Sequence, residues 1–570
     1  IVSPGIYINE TDNSFLPESI VEAGAAIVGP TVKGPVRIPT LVSSYPEYVA
    51  VFGDLLISGS GTYSYFTSTA AYNYFNNGGS TLLISRAVPN AHTSATSSAI
   101  TGSDTNTSFQ LNTIAEGSDQ NSLAETPSAN GLLSSGSKNN VRFEITNANT
   151  SSGTFTVTIR RGDDDDNNKI ILEQFNNVSL DPFDNQFIGK SIGTQNTTIE
   201  GTGADVYIQV NGDYPNRSKY VYVSDIVETP NYLDSEGNVR VASYTGSIPA
   251  NTGTGTASAG FGGGTGTFGT TPLFGKDING GNIQGLGPDD FTASFYLLND
   301  EQFKYTSITA PGLWYSGSKL QGVLDIVLGN VKERGDSIAV VDMGDYTASI
   351  SDVASRAAGL NNSYAATYYP WLQANDPATG RLNWAPASTF IPGVYAYNDK
   401  VGEPWFAPAG LNRGALPNVV RTQRTLTKAN RDTLYEDKVN PIISFPGAGI
   451  VVFGQKTLQT KASALDRINV RRLLINIKQF LDSQSGNVVF EANTQATRNN
   501  FLAIVNPYLE SVQQRQGLYA FKVVMDESIN TPAVIDRNEL VGQVYLQPTK
   551  TAEFVILNFN IQPTGASFPS

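Results

Sequence analysis

The chain has 570 residues and a formal net charge of −14, with no cysteine and one histidine. These counts exclude thiol nucleophiles, disulfides and cysteine-ligated metal centres, and they leave His92 as the only imidazole for a catalytic triad or a metal site. The acidic balance argues against a nucleic-acid binder, and no apolar run reaches the roughly 18 residues of a membrane-spanning helix, so we expect neither nucleic-acid contact nor stable membrane insertion.

The first segment predicts an extended arm. After Pro4-Gly5 come alternating residues with strong β-forming members: Ile6, Tyr7, Ile8 and Asn9. Such a short strand cannot fold alone and must pair with a distant strand, in this chain or in another. A frayed terminus is the alternative; the alternation favours pairing.

An α/β pattern follows and is later resumed. The first part, 24–87, contains candidate strands and helices at 25–29, 39–42, 45–52, 67–75 and 82–86. The pattern returns near 286, with helix candidates in 289–299, 321–334 and 350–361 and an apolar strand at 337–342. An apolar strand of this kind is typical of a sheet covered on both faces. We therefore predict one α/β domain made of 24–87 and 286–445.

The segment between these parts, 88–285, is rich in Ser, Thr, Asn and Gly. Its strand-like runs are short, alternate apolar with polar residues and are separated by turn formers; they lie at 141–146, 155–160, 169–172, 205–210 and 219–223. We predict an inserted all-β region of one or two small units. Its glycine-rich end, 251–270, predicts a linker.

The last part predicts a C-terminal α+β domain over 446–550. Val470, Leu473, Leu474 and Ile477 have helical spacing, and a second helix begins after Thr494, a candidate N-cap. Strands are expected at 519–525, 540–546 and 552–560. The last of these forms a terminal arm, 551–570, in which the following residues are candidates for pairing with another subunit: Phe554, Val555, Ile556, Leu557 and Phe559.

Four features could carry chemistry, and each favours a structural interpretation. The run 163–166 holds four Asp, but adjacent carboxylates cannot all face one cation, so a solvated turn is favoured. The glycines of 260–269 lack the Gly-Lys-Ser/Thr ending of a phosphate loop. His92 is expected in an exposed loop without a ligand set. Asp342 and Asp345 have no accompanying base or nucleophile. We predict no catalytic residue, metal or cofactor.

Five basic residues form a local excess near the start of the C-terminal helix, off its apolar stripe: Lys461, Arg467, Arg471, Arg472 and Lys478. Only two acids, Asp466 and Asp482, lie among them. They are either the solvated face of an amphipathic helix or an electrostatic contact with an acidic partner. The sequence leaves both interpretations open.

Several segments, in order, resemble the contractile tail sheath proteins of myovirus-type, T4-like bacteriophages. Together they cover 1–87 and 286–570 but not the insertion. They are Ser3–Glu10, Ala26–Gly29, Lys33–Pro35, Phe52-Gly53, Asn362–Trp371, Ile391–Tyr395, Trp405–Gly410, Val439–Ile442, Phe453–Leu458 and Ile468–Arg472. Phe453 stands where many relatives have Trp, which is closer to the T4-like branch.

The resemblance implies a non-enzymatic structural subunit of the virion tail, assembled in the host cytoplasm. Such subunits form homo-hexameric rings in a six-start helix around a tail tube, and baseplate and tail terminator proteins are the other expected partners. Terminal arms add strands to the C-terminal domain of neighbours, insertions point outward, and contraction drives the tube through the host envelope. We hypothesise that the five basic residues contact an acidic tube.

Three alternatives stay open from the sequence. The chain could form the sheath of a related contractile injection system, such as a secretion system or a bacteriocin-like particle. A β-rich adhesin would use the insertion as its binding domain. A glycan hydrolase would use a pair of Asp residues.

Overall fold

The computed structural model describes residues 23–58, 61–122, 130–252, 260–268 and 271–553. They form two compact units, which we call unit 1 (23–402 and 408–460) and unit 2 (403–407 and 461–553). Both units are mixtures of helices and sheets, which agrees with the predicted α+β multidomain class at this coarse level.

The strands of the described residues, in chain order, are β1 (Ala25–Gly29), β2 (Thr40–Val42), β3 (Leu56–Ser58), β4 (Gly61–Tyr63), β5 (Leu82–Arg86), β6 (Ser94–Ser97), β7 (Ile100–Thr101), β8 (Thr107–Glu116), β9 (Val141–Asn149), β10 (Thr154–Arg161), β11 (Ile171–Ser179), β12 (Asn196–Glu200), β13 (Tyr207–Asn211), β14 (Val221–Ser224), β15 (Phe261–Gly262), β16 (Ser307–Trp314), β17 (Ile338–Asp342), β18 (Ala365–Tyr369), β19 (Leu372–Asn375), β20 (Leu382–Ala385), β21 (Val419–Thr422), β22 (Val439–Phe445), β23 (Gly449–Val452), β24 (Leu518–Val524) and β25 (Gln543–Pro548). The helices are α1 (Tyr45–Phe52), α2 (Phe66–Asn76), α3 (Ile188–Ile192), α4 (Tyr244–Ser247), α5 (Thr292–Leu297), α6 (Ser318–Arg334), α7 (Ile350–Ala358), α8 (Ile391–Val401), α9 (Lys428–Glu436), α10 (Ile468–Ser485), α11 (Gln495–Gln514) and α12 (Pro532–Ile535).

An eight-stranded sheet organises unit 1, in the order β2-β5-β1-β16-β17-β18-β22-β23. Its central strands run parallel and are buried over their whole length, as their continuous apolar runs require. Ala26 of β1 pairs with Leu83 on one side and with Ile308 on the other. Strands from before and after the insertion therefore belong to one sheet.

Local sequence signals define the first helix of this sheet layer. The side chain of Ser44 accepts a hydrogen bond from the Glu47 amide at 3.3 Å and caps α1, and Pro46 lies in the first turn, where its missing N–H costs nothing. Tyr48 and Phe52 are fully buried. The predicted helix at 45–52 is confirmed.

The inserted region consists mainly of small antiparallel sheets, with β14-β8-β6-β15, β11-β10-β9 and the hairpin β12-β13 as its parts. Its core joins the first two sheets, because the ring of Phe109 lies 5.6 Å from that of Phe155 and Phe143 lies 5.7 Å from Phe261. β11 runs much further than the predicted 169–172 because it is an edge strand whose polar residues face solvent, which weakens the apolar signal.

One predicted boundary differs from the structure. The sequence places the start of the C-terminal domain at 446, whereas unit 2 resumes at 461. Ile442 of β22 pairs antiparallel with Val452 of β23, so the sheet of unit 1 continues across residue 446. A short turn between two apolar strands resembles a domain boundary in sequence, but here it is a hairpin.

Candidate assembly surfaces

Unit 2 combines the helices α10 and α11 with the hairpin β24-β25. The apolar stripes of the two helices meet in a core formed by Trp405, Leu473, Ile477, Val505, Leu509, Val512 and Leu518. Thr494 accepts a hydrogen bond from the Thr497 amide at 3.3 Å and caps α11, as predicted. The helical core supports one face of the hairpin.

The hairpin presents an alternating surface. Phe521 and Leu546, which are paired across the strands, pack on the helical core, whereas Tyr519 is 64% and Tyr545 57% exposed. Among the described residues, β24 and β25 pair only with each other, so each leaves an outer edge of backbone N–H and C=O groups. Open edges of this kind accept additional strands.

The predicted arm residues lie outside the described residues, namely Ile6, Tyr7, Ile8, Asn9, Phe554, Val555, Ile556, Leu557 and Phe559. The points where the described chain begins and ends are anchored. The Ala23 amide donates to the Lys304 carbonyl at 2.9 Å, and the Glu553 carboxylate lies 2.7 Å from Arg467 Nε. Pairing of the arms with another subunit stays a prediction.

The structure separates the five basic residues. Lys461 and Lys478 are exposed, and Arg467 is half-buried between Asp466 and Glu553. Arg471 and Arg472 retain only 3% and 6% exposure. Of the five, only the two lysines are exposed, so the five basic side chains do not share one solvated face.

A distant segment accounts for the burial of Arg472. Residues 403–407 belong to unit 2 and accept hydrogen bonds from polar side chains of α10. Arg472 Nη1 donates to the Pro404 carbonyl at 3.3 Å, and Asn469 donates to the Trp405 carbonyl at 3.4 Å. Trp405 is itself 3% exposed, and its indole donates to the Arg515 carbonyl at 3.0 Å.

The local sequence pattern does not indicate that 403–407 pack in unit 2. A large aromatic pair, Trp405-Phe406, in a segment bounded by Gly402 and by Pro408, has no local apolar partner. That combination is the signal that could have assigned the segment to a distant core, because Trp buries a large area wherever it packs.

The aspartate run 163–166 is not a solvated turn throughout. Asp164 has no exposed side-chain surface and binds the buried Arg160 guanidinium in a bidentate manner, at 2.7 and 3.0 Å. Arg142 Nη1 lies 3.5 Å from the same carboxylate. By contrast, Asp163 pairs with Arg161 where both side chains are about a third exposed. The prediction fails for Asp164 because its partner Arg142 comes from the neighbouring strand β9.

Two further predictions at the edge of the insertion are wrong. His92 is only 8% exposed, since its ring packs beside Phe268 with ring centres 6.0 Å apart. Its Nδ1 lies 3.0 Å from the Asn90 carbonyl. Within the glycine-rich stretch, Phe261 is fully buried and β15 pairs with β6, so this part of the predicted linker belongs to the core of the insertion.

Asp342 and Asp345 serve local structure. Asp342 accepts hydrogen bonds from the Ser388 hydroxyl at 2.5 Å and the Ser388 amide at 3.2 Å. Burial raises the pKa of Asp342 to about 7, against the opposing effect of these hydrogen bonds. Asp345 accepts from the amide and hydroxyl of Thr347 and closes a turn.

Searches for metal ligands and membrane spans give no candidate in the described part of the chain. Its Asp, Glu and His side chains do not gather in groups of three or more that could hold a metal ion. None of its helices combines the length and the apolarity needed to cross a bilayer.

The chain is similar to known proteins over its second half. Two family models match consecutive segments: the phage tail sheath protein central domain matches 283–458, and the phage tail sheath C-terminal domain matches 460–562. The junction between the two matches falls next to residue 461, where unit 2 resumes.

Curated relatives match with moderate identity. The tail sheath protein of Vibrio phage KVP40 is 33% identical over an alignment of 317 residues that covers 51% of this chain and 47% of that protein. The tail sheath protein of Enterobacteria phage T4 is 36% identical over 225 residues, covering 40% of this chain and 33% of that protein. The chain thus spans less than half the length of these relatives.

Among solved structures, a crystal structure of a sheath tail protein from Listeria innocua resembles the fold over most of the chain. It has a TM-score of 0.50 and 10% sequence identity, and the match covers 93% of this chain and 96% of that protein. At this identity the likeness concerns the fold alone.

Proposed function

We propose that this chain is the structural subunit of a contractile tail sheath on the virion, because two phage tail sheath family models match consecutive segments of it. The observation that carries this proposal is the succession of the two sheath family domains over 283–458 and 460–562, which include most of the eight-stranded sheet and nearly all of unit 2. The subunits stack as hexameric rings in a six-start helix around a tail tube, and baseplate and tail terminator bound the sheath. Contraction drives the tube through the host envelope during genome delivery, and assembly takes place in the host cytoplasm.

The open hairpin of unit 2 supports an assembly by strand addition. The hairpin offers two outer edges among the described residues, and its inner face is held by the helical core. Arms from neighbouring subunits add strands to these edges, as main-chain hydrogen bonds require no particular side chain. Contact between different surfaces of successive copies produces an open lattice rather than a closed dimer.

The inserted region 88–285 is proposed to face outward. The two family matches cover 283–458 and 460–562, so all of this region except its last three residues lies outside them. Its strands form separate sheets and do not enter the eight-stranded sheet. An attachment of this kind can change in size without disturbing the contacts that build the lattice.

Lys461 and Lys478 are the proposed contacts to an acidic tail tube, since they are the exposed members of the basic set. Arg467, Arg471 and Arg472 support this surface from within unit 2, where Arg472 fixes the segment 403–407. Electrostatic complementarity would mainly set the rate and register of association.

Electron microscopy of the purified full chain tests the proposal. Long striated tubes are expected, whereas uniform monomers under all conditions would refute it. Deleting 1–12 should abolish tubes and leave a folded monomer, because the arm is lost.

A matched pair of substitutions tests the arm without truncation. Tyr7→Pro removes a main-chain donor and should prevent tube formation, whereas Tyr7→Thr keeps a β-forming residue and should permit it. Equal polymerisation of the two variants would contradict strand addition at this position.

A further inference from the structure

A cleft of about 440 Å³ lies where the inserted strands meet the main sheet of unit 1. Its walls come from four separate pieces of the chain, represented by Arg37 before β2, His92 before β6, Glu116 at the end of β8 and Tyr222 in β14. The volume is within the range of about 300–1,000 Å³ found for small-molecule sites.

The hairpin β12-β13 forms a further wall of this cleft. Thr197, Thr198 and Ile199 of β12 line it, and the two strands pair over five residues. The turn 203–205 at the tip of the hairpin contacts α5, beyond the insertion. The hairpin is therefore held at both ends, and the cleft is enclosed by an anchored element rather than by a free loop.

Two charged groups line the cleft without pairing. Among the described residues, neither the Glu116 carboxylate nor the Arg37 guanidinium forms an ion pair; Arg37 donates only a long bond of 3.4 Å to the Val88 carbonyl. Burial raises the pKa of Glu116 to about 7, and nearby Arg86 and Arg37 only partly oppose this. The carboxyl can consequently accept or donate a hydrogen bond near neutral pH.

The pairing at Asp164 shows how this chain satisfies buried charges elsewhere, with direct contacts to Arg160 and Arg142. Two of the residues that line the cleft also carry a buried nitrogen without a hydrogen-bond partner among the described residues, Nε of Arg37 and Nε2 of His92. Polar groups that stay unsatisfied at a concave site are expected to serve a ligand or ordered water.

The lining restricts the ligand chemistry. An anion would face Glu116 and a cation would face Arg37, so a charged ligand gains little. An uncharged ligand with several hydroxyl groups can donate a hydrogen bond to the Glu116 carboxylate and accept one from the Arg37 guanidinium at the same time. Thr197, Thr198 and Asn112 are further polar residues that line the cleft. We propose that this cleft binds an uncharged saccharide between Glu116 and Arg37.

Saturation-transfer NMR on the full chain tests this, with glucose, N-acetylglucosamine and rhamnose as probes and glucuronate and inorganic phosphate as charged controls. At least one uncharged sugar is expected to bind, and both charged controls should bind more weakly. The proposal is overturned if none of the three sugars shows transfer at millimolar concentration, or if a charged control binds best.

Variants locate the site. Glu116→Gln and Arg37→Gln should each weaken sugar binding about tenfold or more, the effect of losing a hydrogen bond to a charged group. Glu200→Gln, on the exposed end of the same hairpin, is the matched control and should bind normally. If Glu116→Gln does not fold, the Arg37→Gln variant alone tests the site. Sugar binding as strong as in the native chain, in the variants that fold, refutes the proposed site. This proposal does not rest on the proposed sheath function, because saturation transfer reports sugar binding whether the chain is monomeric or assembled; a failure of sugar binding and a failure of tube formation are therefore separate results.

Discussion

Removal of the Asp164 charge is the most informative single perturbation of the insertion. Asp164 makes two hydrogen bonds to Arg160, at 2.7 and 3.0 Å, and accepts the Ile170 amide at 3.0 Å. The substitution Asp164→Asn leaves two buried guanidinium groups facing a neutral amide. Breaking a buried pair in this way costs about 3–5 kcal/mol.

Other carboxylates near Arg160 place the expected destabilisation by Asp164→Asn at the lower end of this range. Glu144 and Asp166 each keep an oxygen 3.3 Å from Arg160, so this guanidinium retains partial compensation. We expect a loss of about 3 kcal/mol in the local free energy of unfolding. The matched control is Asp163→Asn in the same aspartate run, where the pair with Arg161 is partly exposed. That control should change stability by about 1 kcal/mol or less.

Hydrogen exchange of the full chain, followed by mass spectrometry, provides the assay. Amides of β9 and β10 should exchange about a hundredfold faster in Asp164→Asn, while peptides from the eight-stranded sheet keep their protection. Equal exchange in the Asp164 and Asp163 variants would refute the reasoning, since it would mean that burial does not set the strength of the pair.

Three further predictions concern unit 2 and the main sheet. The double variant Lys461→Glu/Lys478→Glu should keep nearly the melting temperature of the native chain. Its co-assembly with the tail tube should be weaker in a salt-dependent manner, and co-assembly as in the native chain would refute the proposed contact. Arg471→Glu should instead destabilise unit 2 itself, seen as a lower melting temperature, because it buries a carboxylate in place of a guanidinium; a melting temperature like that of the native chain would contradict this. Burial raises the pKa of Asp342 to about 7, so its contribution to stability is complete below about pH 4 and is lost as the pH rises through about 7. The melting temperature of Asp342→Asn should accordingly fall less than that of the native chain as the pH rises through this window. The same pH profile in both proteins would contradict this role of Asp342.

Much of the fold can be predicted from local patterns. The helix at 45–52 follows from its cap and first-turn proline, and the strands at 25–29 and 82–86 follow from short apolar runs. These runs contain apolar residues at successive positions, which is typical of strands covered on both faces of a sheet. This agrees with the central position of β1, between β5 and β16.

The candidate surfaces are harder to predict, and Arg472 shows why. Helical spacing identifies the apolar side of α10, but Arg472 is buried where it donates to the Pro404 carbonyl, more than sixty residues away along the chain. His92 is similar: its polar neighbours in sequence suggest exposure, but Phe268 packs on its ring.

The sequence by itself determined the class of the protein, the order of its elements, the interrupted sheet and the family motifs, because these are written in local spacing and composition. Only the tertiary structure decided which charges are accessible. Asp163 and Asp164 are neighbours of identical chemistry, yet one is partly exposed and the other is buried against Arg142 and Arg160. The environment of a side chain is set by segments that the fold brings to it, and these segments come from distant parts of the chain.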